Sequence, residues 1–145
     1  MSSGFVHLHT HSSYSPMWGI PTLEALCQAA RTQGQDRLAL TDTNGLYGAI
    51  RFLEVAKHEG LKPILGAELV HKAHRAVLLA KTPAGYANLC RLLSARHEES
   101  TFDFIAAVAG YRAGLIILSD DLSALKAWRK DSPKDLYVEL SPGSD

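Results

Sequence analysis

Short apolar runs alternate with longer stretches of helical periodicity along nearly the whole chain, and this alternation restricts the fold more than any other feature. Residues 5–9, 37–41, 62–70, 75–80, 114–118 and 136–140 read as strands. The intervening segments read as helices. Thr22 is a good N-cap, with Glu24 in the first turn, for a helix running to Gly34 with Leu23, Leu26, Cys27 and Ala30 on one face. A second helix is expected from about Leu46 to His58, burying Ile50, Leu53, Val55 and Ala56 and ended by Gly60. Thr82-Pro83 supplies N-cap and N1 for a third that reaches about His97. Two shorter helices follow, at 102–109 and 122–130. Strands alternating with helices predict a mostly parallel α/β sheet or barrel, with right-handed crossovers and polar groups gathered at strand C-termini. No internal repeat or low-complexity linker breaks the pattern, so residues 1–145 read as a single domain.

The candidate chemistry sits at three successive strand ends. In the first strand Phe5, His7, His9 and His11 share one parity, and residues two apart on an extended chain face the same way. His9 and His11 can therefore aim two imidazoles at one point, which is half a site for Zn, Mn or Fe. His7 lies deeper in the strand and reads as a core histidine. Asp42 stands in the polar turn Thr41-Asp42-Thr43-Asn44-Gly45 after the second strand, where it could serve a site or cap the next helix. Glu68 lies near the end of the third strand, as a ligand or as a buried acid paired with a neighbour. His58, His71, His74 and His97 read as surface residues.

Composition removes several function classes. Apolar residues make up 46% and charged residues 21%, as in globular domains. The formal net charge is zero, so no global basic field of the kind that grips nucleic acid is present. Cys27 and Cys90 fall in helical patterns among apolar residues and read as small buried hydrophobes, not a disulfide. No apolar run reaches membrane-spanning length and the N-terminus has no signal-like segment, so no membrane partner and a cytoplasmic location are expected.

His9-Thr-His11, Leu40-Thr-Asp42, Gly48 and Gly66-Ala-Glu68 together resemble the opening motifs of the PHP (polymerase and histidinol phosphatase) superfamily. Ser13-Tyr14-Ser15, Gly45-Leu46-Tyr47-Gly48, Lys62-Pro63-Ile64-Leu65-Gly66, Leu78-Leu79-Ala80-Lys81 and Gly85-Tyr86-Ala87-Asn88-Leu89 are similar to one branch, the N-terminal PHP domains of bacterial DNA polymerase III alpha subunits. The resemblance spans Phe5 to about Leu140. It implies a distorted (β/α)7 barrel, with up to three Zn or Mn ions at strand C-termini and phosphoester hydrolysis in active members. Hydrolysis serves proofreading or pyrophosphate removal in some polymerases. In others the domain is a scaffold that helps to bind the proofreading exonuclease. The implied partners are the remainder of a replicative or repair polymerase, DNA held by other domains, and that exonuclease.

The match to the implied ligand set is partial. His9 and His11 match the first ligand pair, Glu68 the bridging carboxylate, and Asp42 the acid of the second motif. Thr43 stands where a histidine is expected beside Asp42, and Trp18 where many such domains carry an acid. Arg75 falls where the fourth strand should begin with a histidine, and His74 is one residue off, which on a strand means the other face. An inward-pointing Arg75 would repel a second metal and could pair with Glu68. The last family motifs would lie beyond Asp145, so the chain is expected to be truncated before them, with an unclosed strand edge that favours self-association. These departures favour a structural and interaction domain with a degenerate metal site. The alternative is an active metal-dependent phosphoesterase of the pyrophosphatase or 3'-5' exonuclease type.

Overall fold

The structure is a computed structural model that describes residues 4–98 and 100–140. It divides into two compact units, one ending at Ala67 and the other beginning at Glu68. Among the described residues no helix is long and apolar enough to cross a membrane.

The first unit contains α1 (Leu23–Thr32), β1 (Arg37–Leu40), α2 (Ala49–His58) and the opening residues of β2 (Lys62–His71). Thr22 caps α1 as its sequence indicates, its hydroxyl accepting from the Ala25 N–H at 3.2 Å. β1 lies parallel to β2, in register from Arg37 opposite Lys62 to Leu40 opposite Leu65. Leu23, Cys27 and Ala30 of α1 pack with Leu38 and Leu40 of β1 and with Phe52, Val55 and Ala56 of α2. Cys27 is a free, fully buried thiol, pushed up to about 11 by burial, with Glu59 and Glu24 adding to the shift.

Two expectations for this unit are corrected. The segment 5–10 is not a regular strand and bends at His9. It lies against β1 through bonds from the Ala39 N–H to the His7 carbonyl and from the Thr41 N–H to the Thr10 carbonyl. The ladder is interrupted because the Thr10 N–H turns to the Thr41 hydroxyl, at 2.7 Å. His7 is exposed, not a core histidine. The second helix begins three residues later than its pattern suggests. Asn44 takes a positive φ of 53° and Gly48 packs against the Tyr14 ring, where a Cβ would stand 2.8 Å from it. The late start makes Ala49, Phe52, Val55 and Ala56 the buried face and leaves Ile50 and Leu53 exposed.

In the second unit the sheet order runs from the end of β2 through β3 (His74–Ala80) and β4 (Leu115–Ser119) to β5 (Leu136–Val138). β2 and β3 are joined by Lys72-Ala73, with Lys72 at a φ of 54°, which makes a tight reversal. β3 runs antiparallel to β4, and β4 parallel to β5. α3 (Pro83–Glu98), α4 (Phe104–Tyr111) and α5 (Leu122–Asp131) complete the unit. α4 and α5 are capped by Asp103 and Asp121, whose carboxylates accept from the Ala106 N–H and from the Ser123 and Ala124 N–H groups. Trp128 is the largest fully buried side chain, and its indole N–H donates to the Ile105 carbonyl at 3.0 Å.

The start of α3 passes very close to the turn before β4. Gly114 adopts a φ of +75°, and a Cβ on Gly85 would stand 1.8 Å from its carbonyl oxygen. Backbone cannot yield there as a flexible side chain would. Gly85→Ala is expected to destabilise the chain by about 1–3 kcal/mol despite its better helix propensity, measured by urea unfolding.

Candidate metal centre

His9 lies in the segment that runs along β1, and His11 just after it. Both are half-buried, and their rings meet edge to face with centroids 5.0 Å apart. They line a cavity of about 520 Å³ in the first unit together with His7, Trp18, Ile20 and the α1 residues Leu26, Ala29 and Gln33. Trp18 is mostly exposed on its rim.

Asp42 follows β1 and is almost fully buried. One carboxylate oxygen accepts from the Ser12 N–H at 2.7 Å and from the Ser15 hydroxyl at 2.6 Å. The other accepts from the Ser12 hydroxyl at 2.8 Å. Ser15 in turn accepts from the Thr43 N–H at 2.9 Å. Asp42 therefore binds the turn that follows the histidines. It does not cap α2, whose N-cap is Gly48 with no side-chain bond.

Glu68 is the seventh residue of β2, three beyond the Leu65 that faces the end of β1. It is buried, and the Arg75 Nε lies 3.7 Å from its carboxylate. Arg75, at the start of β3, also donates through a terminal guanidinium nitrogen to Asp120, just past β4. Burial works against the charge of Arg75, but Asp120, with Glu68 and Glu139, more than offsets it and raises the guanidinium above its ordinary range. The neighbouring His74 faces elsewhere, its Nδ1 2.5 Å from Asp121 and its ring stacked on Phe104 at 5.3 Å. His74 is thus a half-buried, paired residue rather than a surface one. His71 is likewise half-buried, edge-on to Phe102 at 5.2 Å.

His9 and His11, in the first unit, and Glu68, at the start of the second, each offer one ligand atom of a kind that holds a divalent ion. Two imidazole nitrogens and a carboxylate oxygen are the donor set of catalytic-type zinc sites, which keep a position open. By the chemistry of their donors these residues are candidate ligands for one divalent ion. Asp42 is not in this group.

An α/β chain with such a donor set has the makings of a metal-site domain, and the comparisons give it a family. The chain belongs to the PHP domain family, whose model matches residues 7–138. It is 47% identical over 94 residues to an error-prone DNA polymerase of Symbiobacterium thermophilum, covering 64% of this chain and 9% of that protein. It is 35% identical over 140 residues to the DNA polymerase III subunit alpha of Treponema pallidum, covering 82% of this chain and 12% of that one. The chain thus spans about a tenth of the length of these relatives. Among solved structures it shares the fold of a protein described as a metal-dependent phosphoesterase from Bifidobacterium adolescentis, with a TM-score of 0.61 and 13% identity over 96% of this chain and 78% of that one.

Sequence reasoning missed Asp120 and Asp121, and with them the partners of Arg75 and His74. The Ser119-Asp120-Asp121 run before a helix was an available N-cap signal. Burial raises the Asp121 carboxyl, but bonds from His74, Ser123 and Ala124 more than offset this and hold it down to about 2. A carboxyl depressed in the folded state stabilises fully above its unfolded pKa, and the contribution is lost as pH falls through the folded value. Asp121→Asn is therefore expected to cost about 2 kcal/mol at pH 6. That deficit should shrink between about pH 4 and pH 2, as read by urea unfolding across the range.

Proposed function

We propose that this chain acts as the PHP domain of a DNA polymerase III alpha-like or error-prone polymerase, serving mainly as a structural and interaction domain whose metal site is degenerate. The observation that carries this reading is Arg75, a fixed cation beside Glu68 and bonded to Asp120. Two-metal catalysis of phosphoryl transfer holds its ions about 3.5–4 Å apart and needs carboxylates and imidazoles around both. Here Glu68 is already partly neutralised by the guanidinium. Thr43 offers no imidazole beside Asp42, and the Asp42 oxygens are engaged by Ser12 and Ser15.

What remains is a candidate ligand set for one ion, Zn or Mn by its donors, in His9, His11 and Glu68. The chemistry such an ion supplies is Lewis acidity toward a phosphoryl oxygen. The partners of this reading are the remainder of the polymerase, with DNA gripped by other domains, since this chain carries no net charge. A proofreading exonuclease subunit is a further partner of the scaffold role.

The second reading, an active metal-dependent phosphoesterase, draws on the same three-residue group, which leaves a coordination position for substrate. Hydrolysis of nitrophenyl phosphate and of a phosphodiester with added Mn or Zn separates the two. The scaffold reading expects turnover no higher than in His9→Ala or Glu68→Gln. Robust turnover abolished by either substitution would establish the phosphoesterase instead.

A further inference from the structure

We propose that Asp42 is a positioning residue for His11 and not a metal ligand, and that it works with Thr41 as a two-residue bracket. The inference rests on the one-ion reading of His9, His11 and Glu68. His11 is flanked by Thr10 and Ser12, and each flank is tied to one of two consecutive residues after β1. The Thr10 N–H donates to the Thr41 hydroxyl at 2.7 Å, and the Thr41 N–H donates back to the Thr10 carbonyl at 2.9 Å. The Ser12 N–H and hydroxyl donate to the two Asp42 oxygens at 2.7 and 2.8 Å. Both peptide planes that border His11 are thereby fixed against one rigid strand end.

The Asp42 carboxylate is occupied in this role. The carboxylate offers about four lone-pair sites, and Ser12 and Ser15, both fully buried, fill three of them. Turning an oxygen toward an ion would strand buried serine donors, which is costly. Ser15 extends the bracket by accepting from the Thr43 N–H at 2.9 Å, so the loop after β1 and the loop after His11 share one hydrogen-bond net. Gly19 closes it from the other side. A Cβ there would stand 2.0 Å from the Ser12 carbonyl oxygen, so the chain packs directly on the residue that Asp42 holds. Metal-site imidazoles owe their affinity to such supporting bonds as well as to their own nitrogens.

The test uses the 145-residue chain with Co²⁺ and Zn²⁺ as probes, comparing wild type with Asp42→Asn, Asp42→Ala, Ser15→Ala and His9→Ala. Binding is read by competition, geometry by the visible Co²⁺ spectrum, and the bracket itself by amide exchange at Ser12 and Thr43 in metal-free protein. An amide oxygen can still accept from the Ser12 N–H and Ser15 hydroxyl, so Asp42→Asn is expected to keep the wild-type Co²⁺ spectrum and affinity. Asp42→Ala is expected to weaken binding about 10–100-fold, alter the spectrum and speed exchange at both amides. Ser15→Ala is the milder form should Asp42→Ala not fold, and is expected to speed exchange at Thr43 with a smaller loss of affinity. Asp42→Asn as damaging to metal binding as His9→Ala would make Asp42 a ligand and overturn the proposal. Unchanged exchange at Ser12 in Asp42→Ala would overturn it as well. Wild type that takes up neither ion would refute the one-ion reading and, with it, the positioning of a ligand, while the exchange data would still show whether Asp42 holds the turn.

Discussion

A carboxylate removed from water must be met by donors or by a cation, because an uncompensated buried charge costs several kcal/mol. Two such carboxylates organise this chain, and each is met differently. Asp42 is answered by neutral donors from its own unit, all from Ser12 and Ser15. Glu68 has a guanidinium beside it, that of Arg75. The first solution gives a fixed turn behind His9 and His11. The second places a permanent positive charge beside the Glu68 carboxylate.

That difference decides the functional reading. Neutral histidine supplies a lone pair to a cation, whereas arginine has none to give and stays charged at any ordinary pH. An acid paired with arginine keeps less of its negative potential for an ion. On the proposed reading, a Glu68 shared with Arg75 gives a bound ion only weak support. Arg75 is itself held by Asp120 and is not free to swing away without leaving that carboxylate in a half-buried place. On the proposed scaffold reading, Arg75, Glu68 and Asp120 serve as a structural network.

The order of elements was legible in the sequence because each carries its own periodicity and punctuation. Thr22 before α1, Thr82-Pro83 before α3 and the apolar runs of β2, β3 and β4 each mark a boundary locally. His9, His11 and Glu68 stood out in the sequence for a similar reason, as chemistry-bearing residues at or near expected strand ends. What escaped were the contacts that depend on tertiary partners. His7 is exposed although its carbonyl accepts from the Ala39 N–H, and the Thr41 hydroxyl takes the Thr10 N–H out of the ladder. The buried face of α2 depends on where Gly48 lets the helix begin. The roles of Ser12 and Ser15 need Asp42, some 30 residues away, to become visible. The pairing of His74 with Asp121 and of Arg75 with Asp120 joins residues more than 40 apart across antiparallel strands, which no local pattern announces.

The most direct measurement is the number of Zn ions held per chain, read by native mass spectrometry after loading with excess metal and desalting. The account predicts at most one ion on the wild type, absent from Glu68→Gln. Two or more ions on the wild type would contradict it, because they would require the Arg75 charge to leave Glu68 and other residues to complete a cluster that the described residues do not assemble.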